Sequence, residues 1–237
     1  MPPSLSVVVP VKDEAGNVVP LAREIAAALK GEAFEILFVD DGSSDGTSAA
    51  LVALKREIPE LRVLSHGGNM GQSRAIRSGV RAARGEIIVT LDGDGQNDPA
   101  DIPKLLAQMR ADGADLVSGV RTKRRDTMSR RIASRGGNAL RNILLHDGAS
   151  DTGCGLKVFG REMFLRLPYF DHIHRFIIAL VRREGGTVSF VPVNHRPRLH
   201  GRSKYTNLAR LVVSVHDILG VRWLQRRYRA RGETKEL

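Results

Sequence analysis

Three short β-branched runs in this chain end in carboxylates: LSVVVPVKDE from Leu5, FEILFVDDGS from Phe34 and EIIVTLDGDG from Glu86. Apolar runs of this length, stopped by Pro, Gly and Asp, read as buried strands. LRVLS and ADLVSGV read as further strands. Between them, NVVPLAREIAAALK places Val18, Leu21, Ile25 and Leu29 on one helical face. TSAALVALKREI, GQSRAIRSGVRAAR and PADIPKLLAQMR supply three more helices. Strands alternating with helices predict an α/β architecture with a largely parallel, Rossmann-like sheet flanked by helices. Ligands of such sheets bind beyond the carboxyl ends of the strands. Asp13 and Glu14, Asp40 and Asp41, and Asp92 and Asp94 therefore fall along one edge. Asp and Gly are also ordinary turn formers, but three acidic clusters after strands of one sheet ask for a shared cause.

Carboxylates this close repel one another unless a cation lies between them. An EF-hand loop needs Gly at its sixth position and a carboxylate at its twelfth. Counted from Asp92 those positions hold Asn97 and Pro103, and counted from Asp41 the twelfth is Val52. Zinc prefers His or Cys, and neither lies close by. Oxygen ligands from Asp92, Asp94 and Gln96 suit Mg²⁺ or Mn²⁺, which keep waters and bind substrate phosphates as well. Gly93 and Gly95 leave room for a diphosphate at the backbone. The dinucleotide fingerprint G-x-G-x-x-G is missing after the first strand, where the chain reads PVKDEAGN.

The charge balance narrows the partners. A formal net charge of +11 over 237 residues favours anionic ligands: phosphorylated substrates, a membrane surface or nucleic acid. Aromatic residues make up only 5%, too few for the stacking platforms of single-strand nucleic-acid binders. The single cysteine, Cys154, excludes an internal disulfide and a thiolate zinc site, and reads as a small buried residue in a reducing compartment. The opening MPPSLSVVVP has no basic n-region, so no secretory signal is expected. No run reaches the roughly 18 apolar residues of a spanning helix. The histidines form no metal-ligand spacing.

In order along the chain, VVVPVKDE, FVDDGSSDGT, GNMGQSRAIRSG and LDGDGQNDP resemble the family 2 glycosyltransferases of GT-A fold. SGVRTKRRD, DTGCGLKVF and HGRSKY resemble its polyprenol-phosphate branch, which includes dolichol-phosphate mannose synthase. The resemblance runs from about Ser4 to Tyr205, and implies a catalytic domain over residues 1–205. It implies inverting transfer from a UDP- or GDP-sugar to a polyprenyl phosphate. By resemblance, Pro10, Asp13, Glu14, Asp40, Asp41 and Asp92 bind the nucleotide sugar. Asp92 and Asp94 hold the metal, with Gln96 as an accessory ligand. Arg121, Arg131 and Ser134 handle the acceptor phosphate, and Asp151 lies near the reacting centre. Arg202 and Lys204 belong to a segment over the diphosphate. Gly95, His66-Gly67-Gly68 and CGLKVF depart from the family's usual residues.

Residues 206–237 form the remaining unit. Leu208, Leu211, Val212, Val215, Ile218, Leu219 and Trp223 recur at helical spacing, followed by Arg222, Arg226, Arg227 and Arg229. A basic amphipathic helix of this kind suits the surface of an anionic membrane; a membrane partner subunit is the alternative. The expected location is cytoplasmic, peripheral on a membrane. Three competing readings are a GT-A enzyme with a non-lipid acceptor, a haloacid-dehalogenase-like phosphatase and a basic nucleic-acid module. The phosphatase is disfavoured by Gln96 after D-G-D-G and by the four elements that precede it. The nucleic-acid module is disfavoured by the lack of any recognised motif.

Overall fold

The computed structural model describes residues 3–122, 141–198 and 207–228, the side chains of the last segment from Ser214 onward. In chain order the elements are β1 (Leu5–Val11), α1 (Ala15–Ala28), β2 (Phe34–Asp40), α2 (Thr47–Leu54), β3 (Leu61–Ser65), α3 (Gln72–Ala82) and β4 (Ile87–Thr90). There follow α4 (Ile102–Asp112), β5 (Leu116–Arg121), β6 (Lys157–Gly160), α5 (Arg161–Arg166), α6 (Ile177–Arg183), β7 (Val188–Val193) and α7 (Asn207–Arg227).

The seven strands lie in the order β3-β2-β1-β4-β6-β5-β7. β1 pairs in parallel with β2 and β4, β2 with β3, and β5 with β7. Among the described strands only β6 runs antiparallel, between β4 and β5. β1 is buried at every position, because helices cover both faces of the sheet. Its side chains alternate between two cores. Val7, Val9 and Val11 join Leu21, Ile25, Leu51 and Leu105 on the side of α1, α2 and α4. Val8 joins Ile76, Val80, Phe164 and Leu180 on the side of α3, α5 and α6. α3 lies hard against this second face: a Cβ on Gly79 would stand 2.4 Å from a methyl of Val8.

β2 and β3 coincide with the runs FEILFVD and LRVLS. The second helix ends four residues short of its expected end, at Leu54 rather than Ile58, and the chain turns there before β3. β6 had no counterpart among the expected strands. It is only four residues long, and its first side chain is a lysine buried at 4% exposure, so it lacks the dense apolar run that marks β1 and β2. Residues 123–140, which hold Arg124, Arg125, Arg131, Ser134 and Arg135, lie outside the described residues, as do 199–206 with Arg202 and Lys204. Among the described residues no helix is long and apolar enough to cross a membrane. α7 packs one face onto the second core through Val221, with Ile218 and Leu224 partly buried beside it.

Candidate active site

The carboxyl ends of β1, β2 and β4 open into a cleft of about 570 Å³. Pro10, Glu14, Asp41, Asp92, Asp94 and Gln96 line it, so six of the predicted donor and metal residues share one cavity. Arg121 lines the same cleft, as does Arg198, which sequence reasoning did not single out.

Asp92 is set at the end of β4 by its own backbone N–H, which donates to Asn97 Oδ1 at 3.1 Å. Gln72, the first residue of α3, donates from Nε2 to Asp92 Oδ1 at 2.8 Å. Burial pushes the Asp92 carboxyl up to about 6, and the neighbouring charge of Asp94 adds to the rise. Lys157, Arg121 and the Gln72 hydrogen bond oppose it. The segment before β6 closes against this carboxylate. A Cβ on Gly155 would fall 2.4 Å from Asp92 Oδ2, so any larger residue there must push that carboxylate aside. Lys157 donates from Nζ to the carbonyl of Cys154, and burial lowers its affinity for the proton. Lys157, Asp92, Gln72 and His174 line a smaller cavity of about 180 Å³ behind the cleft.

Asp94 faces a cation. Arg198 Nη2 lies 2.5 Å from Asp94 Oδ2, and its Nη1 lies 3.8 Å from Glu14 Oε1. Asp94 Oδ1 accepts from the Gln96 N–H at 3.1 Å. Gln96 is tied to the strand leading to Arg198: its carbonyl accepts from Arg196 N–H at 2.9 Å. A guanidinium on Asp94 marks the position as one that takes positive charge. Two carboxylates and an amide give an all-oxygen donor set, which fits a divalent ion that keeps waters and substrate oxygens as further ligands.

Arg121 and Asp151 form a fork. Arg121 Nη2 lies 2.6 Å from Asp151 Oδ1, and its Nε donates to Oδ2 at 2.7 Å. The Arg121 backbone N–H also donates to Oδ2 at 3.1 Å. Asp151 is therefore spent on holding Arg121, and its side chain is only 6% exposed.

The acidic residues of the first two strand ends also tie the surrounding loops together. Asp40 Oδ1 accepts from the N–H and Oγ of Ser43, and Oδ2 from Ser48 Oγ. Asp41 Oδ1 accepts from Met70 N–H at 2.8 Å and lies 2.8 Å from His66 Nδ1. Its Oδ2 accepts from Gly71 N–H at 2.8 Å. The departure His66-Gly67-Gly68 is thus explained locally: His66 bridges Asp41 and Ser78 Oγ, the latter at 2.9 Å. Asp13 sits at φ 51°, and its Oδ1 accepts from Ser44 N–H at 2.7 Å, joining the first and second loops. Glu14 Oε2 accepts from Asn17 Nδ2 at 2.6 Å. Cys154 is buried, and burial pushes its thiol up, which suits a packing residue and not a nucleophile.

Comparison with known proteins identifies the family and the fold. The family model described as glycosyl transferase family 2 matches residues 6–167. A dodecaprenyl-phosphate galacturonate synthase of Rhizobium johnstonii is 36% identical over 233 residues, covering 96% of this chain and 68% of that protein. An undecaprenyl-phosphate 4-deoxy-4-formamido-L-arabinose transferase of an Enterobacter species is 36% identical over 219 residues, covering 91% of this chain and 66% of its own length. The chain thus spans about two thirds of these relatives. Among solved structures, glucosyl-3-phosphoglycerate synthase of Mycobacterium tuberculosis, solved with Mn²⁺ and UDP, superposes with a TM-score of 0.72 at 19% identity. That match covers 94% of this chain and 80% of the other. A mannosyltransferase of Pyrobaculum calidifontis, solved with GDP-Man and Mn²⁺, gives 0.68 at 20% identity, covering 98% and 66%. The fold is that of the GT-A glycosyltransferases, and the chain belongs to the glycosyltransferases of family 2.

Proposed function

We propose that this enzyme transfers a sugar from a nucleoside diphosphate sugar to a polyprenyl phosphate, with inversion at the anomeric carbon. The observation that carries the reading is one cleft holding both the carboxylate pair Asp92–Asp94 and the forked arginine Arg121. Identity of 36% across nearly the whole chain to two polyprenyl-phosphate sugar transferases supports it. The donor diphosphate belongs on the side of Asp92, Asp94 and Gln96, with UDP and GDP donors both admitted.

A Mg²⁺ or Mn²⁺ ion held by Asp92 and Asp94, with Gln96 beside them, would neutralise charge on the departing diphosphate. Arg198 is placed to contact the same diphosphate once it leaves Asp94. Arg202 and Lys204 are assigned to that group by resemblance. The acceptor is a phosphate monoester with a second pKa of about 6, so it is ionised near neutral pH and needs no strong base. Its oxygen attacks the anomeric carbon as the bond to the diphosphate oxygen breaks, and the electron pair leaves with the nucleotide. Arg121, fixed by Asp151, offers planar donors to the acceptor phosphate; Arg131 and Ser134 share this task by resemblance. Asp151 acts by orienting Arg121, not by taking a proton. A lipid acceptor requires access to a bilayer, either directly through α7 or through a membrane partner subunit, at the cytoplasmic face. Nucleic acid is not an expected partner.

The test is a panel of UDP- and GDP-sugars offered with a short polyprenyl phosphate and either metal, the product being identified by mass and its anomeric configuration by NMR. A glycosyl phosphate lipid of inverted configuration supports the reading. Retained configuration, or transfer only to water-soluble acceptors, overturns it.

A further inference from the structure

α7 carries apolar side chains that folding leaves exposed. Ile218, Val221 and Leu224 pack toward the second core. Val215, Leu219 and Trp223 recur every four residues on another face and are 45%, 57% and 59% exposed. The ridge runs into a basic pocket between α6 and α7. This cavity, about 320 Å³, is lined by Arg182 and Arg183 from α6 and by Arg222 and Arg226 from α7, with His146 and Tyr228 beside them. It shares no lining residue with the donor cleft.

The four arginines are not equivalent. Arg183 is spent on structure: its Nη1 lies 2.5 Å from Glu184 Oε1, its Nε donates to the carbonyl of Leu224 at 3.1 Å, and its guanidinium covers the Tyr228 ring at 4.7 Å. Those contacts tie α6 to the end of α7. Arg182, Arg222 and Arg226 pair with no carboxylate among the described residues. Leu219, Arg222, Trp223 and Arg226 are neighbours at spacings of three and four on one helix surface. Guanidinium donors therefore border an indole and two aliphatic side chains without a break.

We infer that the pocket of Arg182, Arg222 and Arg226 binds the phosphate of an anionic phospholipid headgroup while Val215, Leu219 and Trp223 enter the adjoining hydrocarbon boundary. Guanidinium forks match phosphate oxygens, and amphipathic surfaces with an interfacial tryptophan bind anionic bilayers through area and charge together. A free phosphate would satisfy the arginines and leave the ridge in water, so the combination selects a lipid surface. The inference goes beyond the transfer reaction but rests on the reading that its acceptor is a membrane lipid.

Cosedimentation with vesicles tests it without any turnover. Vesicles of phosphatidylcholine alone are compared with vesicles containing phosphatidylglycerol, and inorganic phosphate serves as the soluble arm. The protein is expected to bind the anionic vesicles and to be released by salt. Arg222→Gln is expected to lower partitioning about fivefold, and Arg222→Gln with Arg226→Gln about thirtyfold, from about 1 kcal/mol per arginine near an anionic surface. Trp223→Ser should weaken binding with the charge unchanged, while the lysine pair Arg222→Lys with Arg226→Lys should keep it. These positions are exposed or half-buried, and unchanged melting temperatures separate lost docking from lost folding. Equal binding of the glutamine pair and the parent overturns the inference, as does equal binding to neutral vesicles. Saturation of the pocket by inorganic phosphate with no vesicle binding makes it a soluble-anion site instead. Transfer to a short acceptor in detergent, measured separately, reports on the reaction alone.

Discussion

Arg198 holds its Nη2 2.5 Å from Oδ2 of Asp94, so a side chain of this protein supplies the positive charge at the second carboxylate of the metal motif. The same guanidinium reaches toward Glu14 at 3.8 Å. Arg198 thus bridges the end of β4 and the loop after β1 across the mouth of the cleft. On the proposed reading, a metal and a diphosphate entering there displace it from Asp94, and its charge then lies beside the phosphates.

Removing this competitor should separate binding from transfer. In Arg198→Ala, Mn²⁺ affinity without nucleotide is expected to rise about fivefold, the equivalent of roughly 1 kcal/mol for a part-exposed ion pair. The rate of transfer should fall at least tenfold, because the diphosphate loses a cation. Titration calorimetry for the metal and steady-state kinetics for transfer measure the two effects. Weaker metal binding in the variant would contradict the account.

Metal binding should also follow the Asp92 proton. Its carboxyl is held up to about 6 by burial and by Asp94. The raised value means the folded, metal-free protein favours the protonated form. Stability from this group is therefore fully present below the ordinary aspartate value and is lost as pH rises through about 6. The metal needs the ionised form, so the apparent metal affinity should fall about tenfold per pH unit below 6 and level off above it. Mn²⁺ binding measured from pH 5 to 8 checks this, and Asp92→Asn should remove the dependence together with most of the affinity.

The glycine before β6 should prove strict. In Gly155→Ala the new methyl would lie 2.4 Å from Asp92 Oδ2, with all three nearest atoms belonging to that carboxyl group. Overpacking of this kind costs about 1–3 kcal/mol. If Asp92 holds the metal as proposed, the displaced carboxylate should cost at least fivefold in metal affinity, the equivalent of about 1 kcal/mol. Thermal denaturation and metal titration of the variant report both quantities.

Much of this site was legible in the chain, and the exceptions have physical reasons. β1 and β2 show as dense apolar runs because both their faces are covered, and the bounds of β2 and β3 follow from FEILFVD and LRVLS. Asp92, Asp94 and Gln96 could be placed together because parallel strands deliver their carboxyl ends to one edge. β6 was missed since it is only four residues long and opens on a buried lysine, whose partner is the carbonyl of Cys154. Arg198 was missed because one arginine among many gives no local pattern; its meaning comes from a carboxylate over a hundred positions away. Asp40 and Asp41 are assigned to the nucleotide by resemblance; their oxygens also hold Ser43, Ser48 and the His66–Gly71 loop, contacts that no local pattern announces. A sequence shows that an aspartate stands at a strand end but not which of its hydrogen bonds are already taken.

The Arg121–Asp151 fork discriminates between a positioning and a proton-transfer role. Asp151→Asn leaves a mostly buried guanidinium with one partner neutralised, and breaking such a pair costs about 3–5 kcal/mol. A drop in melting temperature of about 6–20 °C is expected for a chain of this size. Transfer should fall at all pH values, with the shape of its pH profile retained. Full stability combined with loss of the acidic limb of the profile would identify Asp151 as a base.

The central claim is that Asp92 and Asp94 organise transfer of a sugar from a nucleotide to a lipid phosphate. The most direct measurement compares the parent protein with Asp94→Ala in a transfer reaction containing Mn²⁺ or Mg²⁺, a nucleotide sugar and a short polyprenyl phosphate, with products read by mass. A glycosyl phosphate lipid that requires the metal, and falls by at least a thousandfold in Asp94→Ala, is the predicted result. Lipid product of equal yield from the variant, or formed equally well with the metal chelated, would contradict it.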